Sequence, residues 1–330
     1  QVKYTALRGH LDEARAGGTA ALSPCYVVYG DDAWLRQSAV GMFRALTDPE
    51  YASFNYTVMS ASDGAEEAVF TLNTFPVFDR IRVTVVEDVT DKLSAADKAA
   101  YEKYISSPNP DAVLVLVCED GAEKQASFEG AEKVDCSRLA EAEAAGIVAG
   151  MLKAEPERTM QRAALHELYT RTLGDMSRIA CEIGKLKAYC DGEIKRDDVC
   201  AMTSAEPDYQ IFRLSDAIGA GDKPAALRVL TALLDDGLRP MTVLNMLYAY
   251  YRRMLHAELH KDEPDAAVAA LLGIKPGALY HVRRASGRYT QMKLKRCADH
   301  LHGLQYAVLT GRRSEESAMH EAVLTLISQV

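Results

Sequence analysis

A strand followed by a glycine and a helix is where many proteins hold the phosphates of a nucleotide. The sequence has that order: the apolar run Cys25–Tyr29 is followed by Gly30 and then by a helical pattern. A working phosphate loop also needs a second glycine, a lysine for the β- and γ-phosphates, and a hydroxyl group for Mg²⁺. None of these follows Gly30, and Asp31 and Asp32 put negative charge where phosphate would lie. We therefore do not expect ATP to bind here.

No other arrangement of residues in the sequence predicts a catalytic or metal centre. His256 and His260 are four residues apart on a predicted helix, but they do not form an H-E-x-x-H motif and no third ligand is near. The seven cysteines include no C-x-x-C pair, which favours reduced and mostly buried thiols. We therefore predict no catalytic residue, no metal and no cofactor.

A short apolar segment between a predicted helix and a predicted strand is more informative. Residues 71–80 read Thr-Leu-Asn-Thr-Phe-Pro-Val-Phe-Asp-Arg, so Phe75, Pro76, Val77 and Phe78 lie together in a connection. Connections usually run over the surface. Large apolar side chains there either pack under a neighbouring helix or form a protruding wedge that fills a pocket of a partner. The residues alone leave both interpretations open.

A second candidate surface is basic and lies near the C-terminus. Residues 275–296 contain no acidic residue, although the whole chain has a net charge of −9. The basic residues of this stretch are Lys275, Arg283, Arg284, Arg288, Lys293, Lys295 and Arg296, and a second small basic point follows at Arg312 and Arg313. Such a concentration indicates either a surface for phosphates or an acidic partner, or a solvated face balanced by acidic domains.

The elements that would position these residues fall into three predicted domains. Apolar runs alternate with helical patterns up to about residue 138, which predicts a mostly parallel sheet with helices on both faces. The predicted strands are 25–29, 54–59, 81–86, 112–118 and 133–136, and the predicted helices between them are 33–46, 64–73 and 94–106. Helical patterns alone follow, with a break near 205–208. We expect an α/β domain over 1–138, a small helical domain over 139–206 and a helical domain over 207–330.

Composition places the chain among ordinary globular proteins. It has 330 residues, of which 48% are hydrophobic and 26% charged. Its longest clean apolar run, Ala112–Cys118, is far shorter than the roughly 20 residues of a membrane-spanning helix. Residues 1–207 carry a net charge of −12 and residues 208–330 a net charge of +3. We expect a cytoplasmic protein without a membrane segment that is not a simple basic nucleic-acid binder.

Taken in order, these features resemble one family, the delta subunit of the bacterial DNA polymerase III clamp loader. The resemblance covers nearly the whole chain. It depends on five matching stretches, which are Tyr26–Leu35, Thr74–Val86, Ala112–Val117, Leu173–Met176 with Glu182 and Lys185–Leu186, and Tyr209–Ile218 followed by Gly221–Asp222.

The resemblance implies an AAA+-like α/β domain without a working phosphate loop, a helical lid and a C-terminal helical collar. The family holds and opens the ring-shaped sliding clamp with apolar side chains from the segment before the third strand. By position these are Phe75, Val77 and Phe78, with Leu72 and Pro76 beside them, so the resemblance favours the wedge over core packing. In ATPase relatives, a sensing arginine follows the lid glycine-aspartate pair. Ser177 stands there in this chain, which also implies a subunit without nucleotide.

The implied partners are the sliding clamp and, in a five-subunit ring, ATPase subunits and a delta-prime-like subunit. Primer–template DNA would be contacted through the assembled complex. The candidate DNA or subunit contacts are Arg283, Arg284, Arg288, Lys293, Arg312 and Arg313. The leading hypothesis is a non-ATPase subunit of a replicative DNA polymerase holoenzyme that opens the clamp. The alternatives are an ATPase motor subunit of a clamp loader and a helical DNA-binding adaptor.

Overall fold

A computed structural model describes residues 1–16, 22–90, 93–118, 128–153, 157–203, 207–235, 237–274 and 276–329. The described residues form two compact units, the N-terminal unit Gln1–Thr203 and the C-terminal unit Ser204–Val330. Lys275, and residues 204–206 near the predicted break, lie outside the described residues. No helix of the described residues is both long and apolar enough to span a membrane.

The N-terminal unit contains a sheet of six strands in the order β1-β6-β2-β5-β4-β3. All neighbouring strands are parallel, which confirms the predicted α/β fold class. Its strands are β1 (Val2–Lys3), β2 (Cys25–Tyr29), β3 (Tyr56–Ser60), β4 (Arg82–Val89), β5 (Ala112–Cys118) and β6 (Glu132–Asp135). The central strands are apolar on both faces because helices cover both sides of a parallel sheet. Along β2, Tyr26 and Val28 belong to one core, and Cys25 and Val27 belong to the other.

Nine helices of the N-terminal unit are described. They are α1 (Tyr4–Ala16), α2 (Ala33–Arg44), α3 (Ala52–Asn55), α4 (Ala65–Leu72), α5 (Ala95–Ser106), α6 (Glu141–Leu152), α7 (Arg162–Arg171), α8 (Met176–Tyr189) and α9 (Arg196–Met202), with a short 3-10 helix at Ala61–Asp63. The side chains of Ser94 and Asp175 accept hydrogen bonds at the beginnings of α5 and α8.

The helices α6–α9 share one continuous apolar core with a face of the sheet. Val148, Leu168 and Ile179 belong to the same cluster as Val83 and Val115 of the central strands. This continuity explains why residues 1–203 form one compact unit. The finer boundary that we expect at residue 138 stays a prediction.

A buried ion pair holds three segments of the helical part together. Glu167 of α7 is buried and accepts hydrogen bonds from Arg171 at 2.9 Å and from Arg196 of α9 at 3.0 Å. Arg171 also donates to the carbonyl of Thr203. Burial raises the pKa of the Glu167 carboxyl, but the two arginines outweigh it, and the net pKa is lowered.

The C-terminal unit is entirely helical in its described residues. Its helices are α10 (Pro207–Gly219), α11 (Lys223–Asp235), α12 (Pro240–Leu259), α13 (Asp265–Leu272), α14 (Pro276–Ser286), α15 (Gln291–Leu309) and α16 (Glu315–Ser328). The long helix α12 buries Leu244, Leu247, Tyr251 and Met254, which follow the 3–4 spacing of one helical face. The all-helical prediction for residues 207–330 therefore agrees with the described residues.

Two details of the predicted elements were wrong. The strand predicted over 54–59 begins at Tyr56, because Phe54 and Asn55 form the end of α3. The backbone N–H of Asn55 donates to the backbone carbonyl of Tyr51, which closes a helical turn. The edge strand β1 was not predicted, because its two residues are too few to show alternation.

Candidate protein-binding site

The predicted wedge is an exposed apolar loop between α4 and β4. Phe75 and Phe78 are 77% and 83% exposed, which is unusual for large apolar side chains. Val77 is also exposed, and Pro76 is half-buried. The core-packing alternative for the two phenylalanines is therefore inconsistent with the structure. We call residues 75–78 the wedge loop.

Leu72 does not belong to this surface, which corrects the prediction. Its side chain is fully buried in the core between α4, α5 and the sheet. Its carbonyl oxygen accepts a hydrogen bond of 2.8 Å from the Asn109 side chain. Leu72 is the last residue of α4 and faces inward, so it anchors the helix end from which the wedge loop departs.

The middle of the wedge loop is held by the side chain of Asn55. This side chain is completely buried, and its amide pairs with the Val77 backbone in both directions. Asn55 Oδ1 accepts from the Val77 N–H at 2.7 Å, and Asn55 Nδ2 donates to the Val77 carbonyl at 2.8 Å. Asn55 Nδ2 also lies 3.3 Å from the Tyr51 carbonyl oxygen. Sequence reasoning missed Asn55, because it placed this residue in a strand.

The beginning of the loop is held by Arg82, the first residue of β4. Its guanidinium donates to the carbonyls of Thr74 at 3.1 Å and Phe75 at 3.3 Å. The side chain is buried, and burial lowers the pKa of the guanidinium. At the other end, a carboxylate oxygen of Asp79 accepts from the Asp48 N–H at 2.7 Å. The loop is thus fixed at its beginning, its middle and its end.

Phe78 has a left-handed backbone with φ of 55°. This conformation costs a bulky residue about 1–2 kcal/mol, so it persists only where the surroundings hold it. The ring of Tyr51 lies 5.5 Å from the Phe78 ring, centroid to centroid, and the neighbouring Val77 is held by Asn55. Strain of this kind clusters at binding sites, and here it projects an apolar ring into solvent.

Two further phenylalanines, in the helices α3 and α4 that precede the wedge loop, are exposed. Phe54 of α3 is 58% exposed and Phe70 of α4 is 76% exposed. Phe70 precedes Thr74 by one helical turn, and the Thr74 hydroxyl donates to the Phe70 carbonyl. Residues 54–78 thus contain four exposed phenylalanines, which is unusual for large apolar side chains. The helical pattern around Phe70 could have indicated its exposure, since its near neighbours Glu66 and Glu67 are charged.

The glycine of the degenerate phosphate loop serves the chain's own packing. Gly30 has φ of 129°, and a Cβ atom there would lie 2.3 Å from the carbonyl carbon of Cys136. Glycine is therefore required at position 30 because the backbone of Cys136 and Ser137, just after β6, packs directly against it. The Arg36 guanidinium donates to the Gly30 carbonyl, and a carboxylate oxygen of Asp31 accepts from the Arg138 N–H at 2.8 Å.

Asp32 occupies the place where a nucleotide phosphate would meet helix N-termini. Its carboxylate is buried and accepts from the Leu35 N–H in the first turn of α2 at 3.0 Å. The other oxygen accepts from the Met176 N–H at the beginning of α8, at 2.9 Å. An anion at a helix N-terminus is stabilised by the free N–H groups and the helix dipole. An internal carboxylate already makes these contacts at both helices. Ser177, in the position of the sensing arginine, is exposed.

The structure divides the basic residues of the C-terminal unit into internal and exposed ones. Arg283 is half-buried, and its guanidinium donates to the backbone carbonyls of Lys261, His260 and Glu263. It therefore holds the segment after α12, and its role as a DNA or subunit contact stays a prediction.

The other predicted contacts are partly engaged by residues of the same unit. Arg288 pairs with Asp216, and Arg313 pairs with Glu321. The guanidinium of Arg312 lies 5.9 Å from the centroid of the Tyr306 ring, and Lys293 is half-buried. Arg284, Lys295 and Arg296 of the basic stretch are exposed, as is Arg312. The exposed basic residues of this unit remain candidate contacts.

No group of three or more metal-ligating side chains occurs among the described residues. His256 and His260 stack with ring centroids 6.4 Å apart, and His260 lies 2.9 Å from a Glu263 oxygen. Four cysteines, Cys25, Cys118, Cys136 and Cys297, are buried, while Cys181 and Cys200 are exposed. Burial raises the pKa of the Cys297 thiol to about 11, which disfavours the reactive thiolate.

Comparison with known proteins gives consistent results along the chain. The family model described as DNA polymerase III, delta subunit, matches residues 26–139. The model described as DNA polymerase III delta subunit, C-terminal domain, matches residues 208–326. The DNA polymerase III subunit delta of Bacillus subtilis is 22% identical over 325 residues and covers 93% of each chain. The solved structure of the Bacillus subtilis DNA clamp loader delta protein has a TM-score of 0.69 and 21% identity, over 98% of this chain and 99% of that chain.

Proposed function

Because this chain belongs to the family of DNA polymerase III delta subunits, we propose that it binds and opens the sliding clamp as the non-ATPase subunit of a replicative clamp loader. The single observation that carries this proposal is the wedge loop. Two phenylalanines project into solvent from a backbone that side chains hold at three points. An exposed and rigid apolar anchor of this kind is suited to the pocket of a protein partner.

The chain would act on the clamp by differential binding rather than by chemistry. If the wedge loop fits an open clamp better than a closed one, binding shifts the population of clamps toward the open state. Reversing a closed-to-open ratio of 99 to 1 needs about 5.5 kcal/mol of differential binding. Two buried aromatic anchors contribute about 2–4 kcal/mol each in protein interfaces, so they supply that difference if they are buried in the open clamp and not in the closed one.

The nucleotide chemistry would come from neighbouring ATPase subunits. The Asp32 carboxylate occupies the helix N-termini that would hold phosphate, and no lysine or hydroxyl residue follows Gly30 within the loop. These features disfavour the ATPase motor alternative. The acidic N-terminal unit disfavours the alternative of a helical DNA-binding adaptor.

The helical C-terminal unit would act as the collar that joins ATPase subunits and a delta-prime-like subunit in a ring. In that ring the exposed residues Arg284, Lys295 and Arg296 are candidate contacts to primer–template DNA. The delta-prime-like subunit, the ring stoichiometry and the DNA contact are parts of this proposal.

The test is binding of the full chain to the sliding clamp of the same organism, measured by calorimetry with and without Mg-ATP. We expect a one-to-one complex whose affinity is the same in both conditions, and no heat of binding when ATP alone is titrated. Nucleotide-dependent clamp affinity together with micromolar ATP binding would instead support the motor alternative. Binding to DNA but not to the clamp would support the adaptor.

A further inference from the structure

The side-chain amide of Asn55 is buried beneath the exposed wedge loop. A buried polar side chain is costly unless its hydrogen-bonding groups are satisfied. Asn55 meets this requirement mainly with the Val77 backbone, through one accepted and one donated hydrogen bond. The two residues are 22 positions apart, so the pair joins α3 to the centre of the wedge loop.

The two ends of the wedge loop are held from outside it. Arg82 donates to the carbonyls of Thr74 and Phe75 at the beginning, and the Asp79 carboxylate accepts from the Asp48 N–H just after the end. Between those two points lie Phe75 and Phe78, the two residues that project into solvent. The Asn55 amide is the contact that fixes the backbone between them.

We infer that Asn55 is a positioning residue that presets the wedge loop for its protein partner. By holding the Val77 backbone, Asn55 keeps the Phe75 and Phe78 rings in one arrangement and supports the left-handed backbone of Phe78. A binding loop that is already ordered loses less conformational entropy when it binds. Asn55 itself does not need to touch the partner. This inference rests on the proposed function, because the partner is the sliding clamp.

The central experiment is the substitution Asn55→Ala in the full chain. We expect the affinity for the sliding clamp to fall at least tenfold, although every side chain of the wedge loop is retained. Amide hydrogen exchange should accelerate at Val77, while the amides of β4 keep their protection. This local pattern separates a positioning role from a general loss of stability.

The matched control is Asn109→Ala. The Asn109 side chain also donates to a backbone carbonyl, that of Leu72. Leu72 is the last residue of α4 and lies three residues before the wedge loop. We expect its clamp affinity to stay within about twofold of the wild type. If Asn55→Ala does not fold, Asn55→Asp is measured, because it keeps the shape and the acceptor for the Val77 N–H but loses the donor.

A double-mutant cycle distinguishes this inference from the proposed function. In a chain that already carries Phe75→Ala and Phe78→Ala, Asn55→Ala should cause no further loss of clamp affinity. A folded Asn55 variant with wild-type affinity, or one whose effect persists in that background, would overturn the inference. If the double phenylalanine variant itself binds the clamp normally, the proposed site is wrong, whereas exchange at Val77 still reports whether Asn55 holds the loop.

Discussion

We expect the double substitution Phe75→Ala and Phe78→Ala to remove most clamp binding and to leave the fold intact. The two side chains are 77% and 83% exposed, so truncation removes little that is buried in the free protein. A fully covered phenylalanine buries roughly 150–250 Å². In the free protein about one fifth of that area is buried for each ring. At roughly 25 cal/mol per Å², its loss lowers the unfolding free energy by about 1 kcal/mol per residue.

The effect on clamp binding should be much larger. If the clamp covers the exposed remainder of each ring, roughly 150 Å² more becomes buried, which is worth up to about 4 kcal/mol per ring. Truncating central aromatic residues to alanine typically costs about 2–4 kcal/mol. At the lower value of about 2 kcal/mol per ring, the two truncations would together cost about 4 kcal/mol if they were additive. Allowing for non-additivity, the binding free energy should still weaken by at least about 3 kcal/mol, which is more than a hundredfold in affinity.

The assay measures clamp affinity and thermal unfolding on the same preparations. Phe43→Ala is the control for a buried ring, since Phe43 is fully buried and its truncation should cost about 3–5 kcal/mol of stability. Leu309→Ala removes a side chain that is 77% exposed in the C-terminal unit, and it should change neither quantity. A double variant as destabilised as Phe43→Ala, or a stable one that binds the clamp normally, would refute the reasoning.

Three further predictions concern the rest of the chain. Asp32→Asn leaves one of the two helix N-termini without its carboxylate acceptor, so the free energy of unfolding in urea should fall by about 1–3 kcal/mol. Calorimetry should show no gain of ATP affinity. Replacing Arg284, Lys295 and Arg296 by serine should weaken DNA binding by the assembled loader and reduce its salt dependence, whereas Arg283→Ser should only destabilise the C-terminal unit; unchanged affinity at low salt would leave the three as a solvated face. Because the folded-state pKa of Glu167 is lowered, its contribution to stability is present above the unfolded pKa of about 4.3 and disappears as pH falls through the folded value. Glu167→Gln should therefore be destabilising at pH 7, by about 1–3 kcal/mol in urea unfolding, because Arg196 is largely exposed and glutamine keeps one acceptor. The difference from the wild type should shrink below about pH 4, and a difference that is constant with pH would contradict this role.

Local sequence patterns were sufficient to predict a parallel sheet and five of its six strands, although not the order of the strands. The fully apolar run Ala112–Cys118 becomes the central strand β5, and the boundaries of β2 agree with the prediction. These patterns succeed because burial on both faces requires apolar residues at every position of a strand. The absence of a lysine after Gly30 can likewise be read from the sequence without any tertiary information.

The roles of individual site residues depended on contacts between distant segments. Leu72 was predicted to belong to the exposed apolar surface, but it faces the core at the end of α4. Arg283 was predicted from its charge alone, and only the structure shows that it also donates to carbonyls more than 20 residues earlier in the chain. Charge and apolarity identify residues that need a partner, but they do not tell whether that partner belongs to the same chain.

The sequence by itself determined the α/β class and five of the six strands, that the phosphate loop is degenerate, and that apolar residues precede β4. Only the tertiary structure decided that Phe75 and Phe78 point into solvent, that Asp32 joins the N-termini of α2 and α8, and that Asn55 holds Val77. The physical reason is the range of the interactions. Strand and helix patterns reflect neighbours within a few residues, whereas a side-chain amide or carboxylate is satisfied by whichever backbone group the fold brings within 3 Å.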